Sequence, residues 1–275
     1  MLKRGTMAMW LRLGWLAMLV WATPLVHAGG YSVIDVTSGS VISGVVRWDG
    51  ELPKPFRFEV RSDTLFCTQN RAVQQELIQI DTRSLAVQGA LVYLSDIGAG
   101  ASMANAGVSL EGLLRFDGCT LKPPITLLRE RDTLEYLSHD DFVHTPVLDI
   151  AGAPVMEDLV SPGMRRRVRV PEAGVYSVRC YRHPWEYSTV FAVEHPYYSM
   201  TNAAGVFRIR HVPPGSYTLS LWHPTIDPEP VAKNGVIIDY NFNKPIKFDL
   251  KILVRREQEL PVEFVLPLVG GRHSQ

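Results

Sequence analysis

The sequence predicts an all-β protein, and three observations predict it. After the first 28 residues, no stretch keeps apolar side chains at a 3.6-residue period for three turns. Short runs alternating apolar and polar residues recur instead, as half-buried strands require. Gly, Pro, Asn and Asp punctuate them, as at Asp49-Gly50, Asp117-Gly118 and Pro213-Pro214-Gly215. Runs of that length and spacing form β-sandwiches.

Taken in order, residues 1–28 read as a secretory signal. Lys3, Arg4 and Arg12 form its positive end, and the apolar run Leu13–Ala22 is too short to span a bilayer. Val26-His27-Ala28 supplies small residues at −3 and −1. The mature protein is therefore expected to be periplasmic or secreted, without a membrane span. Losing three of the 28 cations leaves 25 basic residues against 28 acidic ones. That balance argues against a nucleic-acid partner. Residues 29–195 are expected to form a first sandwich with an N-terminal β extension. Its strand-like runs include Val41–Val46, Phe56–Val60, Ala90–Leu94, Arg167–Val170 and Val190–Val193. Ala72–Ile80 is the nearest approach to a helix. Arg165, Arg166, Arg167 and Arg169 suit the charged face of an edge strand. A boundary falls near Glu194-His195-Pro196. Residues 196–268 are expected to form a second sandwich opening on a hairpin at Asn202–Gly205 and a Pro-Pro-Gly turn. The tail 269–275 has no pattern and is expected to be disordered.

Three cysteines in an exported chain leave one over. Cys67 and Cys119 lie in polar, turn-rich contexts and are the natural disulfide pair. Cys180 then stays free, as a metal ligand or as a buried small hydrophobe. It ends the strand-like run Gly174–Cys180, with His183 three residues on and His144 upstream. A distant His and a Cys-x-x-His loop follow the ligand order of a trigonal His₂Cys copper site, which a weak axial ligand, usually Met, completes. Glu186 occupies the short-loop axial position.

Two sets of motifs carry a family resemblance. Thr201–Leu221, with Gly205-Val206-Phe207 and Val212-Pro213-Pro214-Gly215, resembles the carboxypeptidase regulatory-like domain, a small transthyretin-like sandwich. His144, Cys180 and His183 look like a cupredoxin ligand set. With Asp117-Gly118-Cys119, His183-Pro184-Trp185 and Trp222-His223, the chain resembles exported bacterial proteins of plastocyanin-like or methylamine-utilisation type. The resemblance spans about residues 38–225 and implies a Greek-key cupredoxin-like sandwich followed by the regulatory-like one. It also implies copper as the bound metal. Two departures stand out: Thr145 follows the first His where the family has Asn, and Glu186 replaces Met.

A Glu ligand would favour Cu(II) and bring the site nearer to four-coordinate. A Cys-His-His-Glu set also suits zinc, the second candidate occupant. Plainer readings stand beside these: His144 as a loop histidine, Glu186 as a solvated turn carboxylate, His139 to Asp141 as an acidic turn, and Trp222-His223 as edge packing. No nucleophile elbow, phosphate loop or His-Glu-x-x-His stretch is present, and Cys180 and His183 share one tight loop. The expectation is a copper-binding protein for electron transfer or copper handling, not an enzyme, meeting a redox protein or a cell-envelope component. The alternative is a cell-envelope interaction module with a vestigial metal site.

Overall fold

The computed structural model describes residues 30–67, 73–105 and 110–266. The expected signal (1–28) and tail (269–275) lie outside them. Among the described residues the regular elements are strands, apart from the helical turn Thr64–Cys67 and the 3-10 turn Met103–Asn105. Over Ala72–Ile80, the described part holds the short strands Val73–Gln75 and Gln79–Ile80 rather than a helix. Val73–Gln75 pairs with Phe56–Phe58, and Val73 joins Phe58 and Trp185 in an apolar cluster, so tertiary pairing overrides the local pattern.

One sandwich is built from residues 113–193. Its five-stranded sheet runs Ile125–Arg129, Tyr187–Val193, Gly174–Cys180, Pro146–Ile150, Ala153–Glu157. The facing sheet runs Leu121–Lys122, Leu113–Phe116, Thr133–Ser138, Arg165–Arg169, so the arginine-rich strand is an edge. Leu114, Phe116, Leu134, Tyr136, Tyr176 and Val178 fill the space between. Parallel pairing of Ile125–Arg129 with Tyr187–Val193, and of Leu113–Phe116 with Thr133–Ser138, requires crossover connections in both sheets. Alternation along Gly174–Cys180 turns Tyr176, Val178 and Cys180 inward and leaves Val175, Ser177 and Arg179 outside.

A second sandwich has one sheet in the order Tyr198–Met200, Leu91–Leu94, Gly215–His223, Ile246–Val254. Its other sheet runs Val206–Val212, Ser40–Trp48, Glu259–Leu266. The strand pairing therefore departs from a linear division at residue 195. Ser40–Trp48 is the middle strand of a C-terminal sheet, antiparallel to Val206–Val212 and parallel to Glu259–Leu266. Leu91–Leu94 likewise lies between two C-terminal strands. The 113–193 sandwich is thus inserted within the second one; alternation marks a strand but does not name its neighbour. The expected hairpin at Asn202–Gly205 is corrected in the same way. Strands on either side of Asn202–Gly205, and of the Pro-Pro-Gly turn, lie in opposite sheets, so both turns are arches. Gly205 suits its arch, because at φ 71° a Cβ would stand 2.5 Å from the Val46 carbonyl oxygen.

The two sandwiches meet through Leu91, Ile125, Leu127, Phe191, Val193 and Trp222. The Phe191 and Trp222 rings are 5.0 Å apart and nearly perpendicular.

Candidate metal centre

Gly174–Cys180 delivers the thiol to one end of the inserted sandwich. Cys180 is opposite Pro146 in the adjoining strand, so His144 lies just beyond that strand's start. Backbone bonds to Val160 in both directions, each 2.9 Å, hold His144 in place. The return loop is closed by His183 N–H donating to Cys180 O at 3.2 Å, Glu186 N–H to His183 O at 2.8 Å and Cys180 N–H to Glu186 O at 3.2 Å. These bonds turn His183 and Glu186 toward the thiol.

The four side chains converge completely out of solvent. His144, His183 and Glu186 are 0% exposed and Cys180 is 1% exposed. One donor atom from each lies within 4.8 Å of all the others. Cys180 Sγ is 3.5 Å from His183 Nδ1 and 4.0 Å from His144 Nδ1. Glu186 Oε2 is 2.9 Å from His144 Nδ1 and 3.2 Å from His183 Nδ1. Phe116 stacks on His144 at 4.1 Å, and Phe142 stands against both imidazoles. Glu186 is therefore no solvated turn carboxylate. His139 and Asp141 are exposed, as an acidic turn requires.

Two carboxylates lie at the far edges of the imidazoles: Asp63, which the sequence pattern did not single out, and Asp140, expected in a solvated acidic turn but turned inward instead. Asp63 Oδ2 lies 2.9 Å from His183 Nε2. Asp140 Oδ2 lies 3.2 Å from His144 Nε2, an ion-pair distance too poorly aligned for a hydrogen bond. Asp140 also accepts from the N–H groups of Gly118 and Cys119. Asp63 arrives on the strap 62–67, which Ser62 Oγ, donating to Arg182 O, and the Arg182–Asp63 ion pair tie to the ligand loop. The disulfide Cys67–Cys119, with Cα atoms 5.4 Å apart, anchors the strap's end. Asp63 itself has φ 48°, a left-handed conformation the strap imposes at a cost of about 1 kcal/mol. No local signal could have linked Asp63 to a histidine 120 residues away. Thr145 stands where the resemblance implies Asn, and its backbone N–H donates to Cys180 Sγ at 3.4 Å. The backbone supplies that bond whatever the side chain.

The electrostatics follow from this packing. Burial opposes charge on His144, but Asp140, Cys180 and Glu186 outweigh it and push its pKa up to about 11. His183 is likewise raised to about 9 by Cys180 and Glu186 against burial. Burial works against the thiolate, yet both histidines hold the Cys180 pKa below its ordinary value. Asp63, despite some burial, is lowered by Arg182 and His183, and Asp140 by His144 and two backbone N–H groups.

This donor set fits a metal ion. Bonds of about 2.0–2.3 Å to one tetrahedral centre place their donor atoms roughly 3.3–3.6 Å apart, within the 2.9–4.0 Å range of the four distances above. Glu186 Oε1 is buried without a hydrogen-bond partner, an arrangement that costs about 1–3 kcal/mol or more unless a cation meets it. Thiolate, two imidazoles and carboxylate together suit copper or zinc.

No family model matches the chain, and no curated protein does. Among solved structures, it is similar to a Cu-containing nitrite reductase from Thermus scotoductus SA-01, at 19% identity and TM-score 0.29, over 35% of this chain and 27% of that one. It is also similar to a purple cupredoxin from Nitrosopumilus maritimus, at 20% identity and TM-score 0.27, over 30% of this chain and 98% of that one. Amicyanin from Paracoccus versutus matches at 12% identity and TM-score 0.28, over 37% and 97%. The chain spans about a quarter of the nitrite reductase, and all three likenesses leave most of this chain uncovered. Among the described residues, no helix is long and apolar enough to cross a membrane.

Proposed function

We propose that the protein is an exported, cupredoxin-like copper-binding protein that uses His144, Cys180, His183 and Glu186 as ligands. The observation that carries this reading is the closed burial of four ionisable groups, with Glu186 Oε1 unpartnered. The groups pair with one another and with Asp63 and Asp140, but Glu186 Oε1 is left over, and a cation held among the four would meet it. Bound copper would supply a one-electron redox couple or a held cargo. The protein's residues fix the geometry: Asp63 and Asp140 orient the imidazoles with Nδ1 toward the thiolate, and Phe116, Phe142 and Trp185 keep water away. A carboxylate as fourth donor favours Cu(II) and a lowered potential. The second sandwich is read as a regulatory-like accessory unit contacting a redox protein or a cell-envelope component, and the role is binding rather than catalysis.

Titration of the reduced, metal-free full-length mature protein with Cu(II) tests this. One equivalent should bind and produce a visible thiolate-to-copper absorption that Cys180→Ser removes. Absence of stoichiometric binding would instead favour an interaction module whose metal site is vestigial.

A further inference from the structure

A half-open cleft of about 600 Å³ separates the outer face of the five-stranded sheet from the hairpin formed by Glu229–Lys233 and Val236–Asn241. Strand alternation turns Val175, Ser177 and Arg179 onto this face and Cys180 away from it, and none of the four candidate metal ligands lines the cleft. Cross-strand register sets Asp149 and Thr189 on either side of Ser177, and Tyr187 beside Arg179. The four charged residues of the lining cancel. Arg179 reaches Asp149 at 3.4 Å and Asp239 at 3.5 Å, and Lys247 stands exposed at the rim without an ion pair among the described residues. Both Arg179 contacts are longer than the roughly 2.7–2.9 Å of a tight charge-assisted bond, so these groups keep hydrogen-bonding capacity. Three of the uncharged polar side chains are buried, with hydroxyls engaged within the protein: Thr189 with Tyr187, Tyr176 with Glu172 O and Tyr240 with the Glu59 N–H. The other four are within reach of the cleft. Ser177, Tyr187 and Asn241 are half-buried and Asn243 is exposed. Among the described residues, the side chains of Ser177 and Asn243 make no hydrogen bond, and that of Asn241 only accepts one, from the Asn243 N–H at 2.9 Å. Val175 and Val231, 49% and 41% exposed, add apolar surface on opposite walls.

These features select a ligand class. A volume of this order suits a small molecule. An anion would meet Asp149 and Asp239, and a cation would meet Arg179 and Lys247, so neither sign finds an uncontested countercharge. A hydrocarbon would strip water from the reachable polar groups and return no hydrogen bond. Donors (Arg179, the Asn241 amide), acceptors (Asp149, Asp239) and groups able to do both (Ser177, Tyr187) instead lie side by side. A hydroxyl both donates and accepts, so a ligand with hydroxyls on adjacent carbons matches this mixture. The C–H faces of its ring match Val175 and Val231. We propose that the cleft binds a neutral saccharide of disaccharide size, hydrogen-bonded by Ser177 from the sheet and Asn241 from the hairpin. The site does not depend on the copper reading, because its walls hold no metal ligand.

The test is an amide NMR titration of the full-length mature protein with maltose, cellobiose, lactose and N,N′-diacetylchitobiose. Two charged counterparts are run beside them: cellobiouronate, an anion, and chitobiose, a cation. At least one neutral disaccharide should bind saturably at one per chain, with shifts centred on Ser177, Arg179 and Asn241. Both charged sugars should bind at least roughly tenfold more weakly than the best neutral one. Asn241→Leu should weaken binding roughly tenfold. Ser177→Trp, which fills the cleft from its floor, should abolish it, and the circular dichroism spectrum of each variant should match the parent's. Cys180→Ser should leave sugar binding intact even if it abolishes copper uptake. Lack of saturable binding by all four neutral sugars, equal or tighter binding of a charged one, shifts centred elsewhere, or undiminished affinity in either cleft variant would overturn the proposal.

Discussion

At position 186 a carboxylate stands where a thioether is expected, and its Oε2 lies 2.9 and 3.2 Å from the two Nδ1 atoms. If it binds copper directly, Glu186→Met should raise the reduction potential by about 60 mV for each tenfold shift of relative affinity toward Cu(I). Protein-film voltammetry reads this, and an unchanged potential would place Glu186 outside the coordination shell. Asp63 is the second residue that decides the site's behaviour. Asp63→Asn keeps the shape but weakens the hold on His183 Nε2, and copper affinity should fall roughly 10–100-fold in a competition assay. The Cys-x-x-His loop was legible because strand alternation and a three-residue spacing are local facts. Asp63 was not, since it acts across the fold.

The strap 62–67 closes the centre, and its hold is covalent at one end. Replacing Cys67 and Cys119 by Ser should cost about 2–4 kcal/mol of stability in chemical denaturation and should speed copper release to a chelator. Equal release rates would show that the strap does not gate the site. Strands resting on one buried face were readable from their alternation, as in Ser40–Trp48 and Gly174–Cys180. Ile125–Arg129 and Pro146–Ile150 were missed because both their faces are covered and their apolar runs do not alternate. Leu128 packs inside the inserted sandwich while Ile125 and Leu127 face the junction, so a single strand serves two cores.

Across the molecule, the all-β class was readable from turn spacing, whereas the insertion of one sandwich into the other was not. That arrangement depends on pairing between segments more than 200 residues apart. Four shifted histidines contribute to the pH dependence of the metal-free protein. His195 and His223 have pKa values lowered from 6.5 to about 4 by burial. Above pH 6.5 neither state protonates them; between 6.5 and 4 only the unfolded chain does. Stability should fall as pH drops through that window, by up to about 3 kcal/mol for each. His144 and His183, raised to about 11 and 9, act in the opposite sense. Their contribution is complete below pH 6.5 and is lost as pH rises through 9 and beyond. The metal-free Tm should therefore peak near pH 6.5, and a flat profile from pH 4 to 9 would contradict this balance. The central claim is a single closed copper centre with four protein ligands. X-ray absorption spectroscopy of the protein loaded with one copper tests it most directly. The account predicts one sulfur, two imidazole nitrogens and one carboxylate oxygen, with the sulfur absent in Cys180→Ser and the oxygen absent in Glu186→Ala. A shell of nitrogen and oxygen alone, unchanged by either substitution, would contradict it.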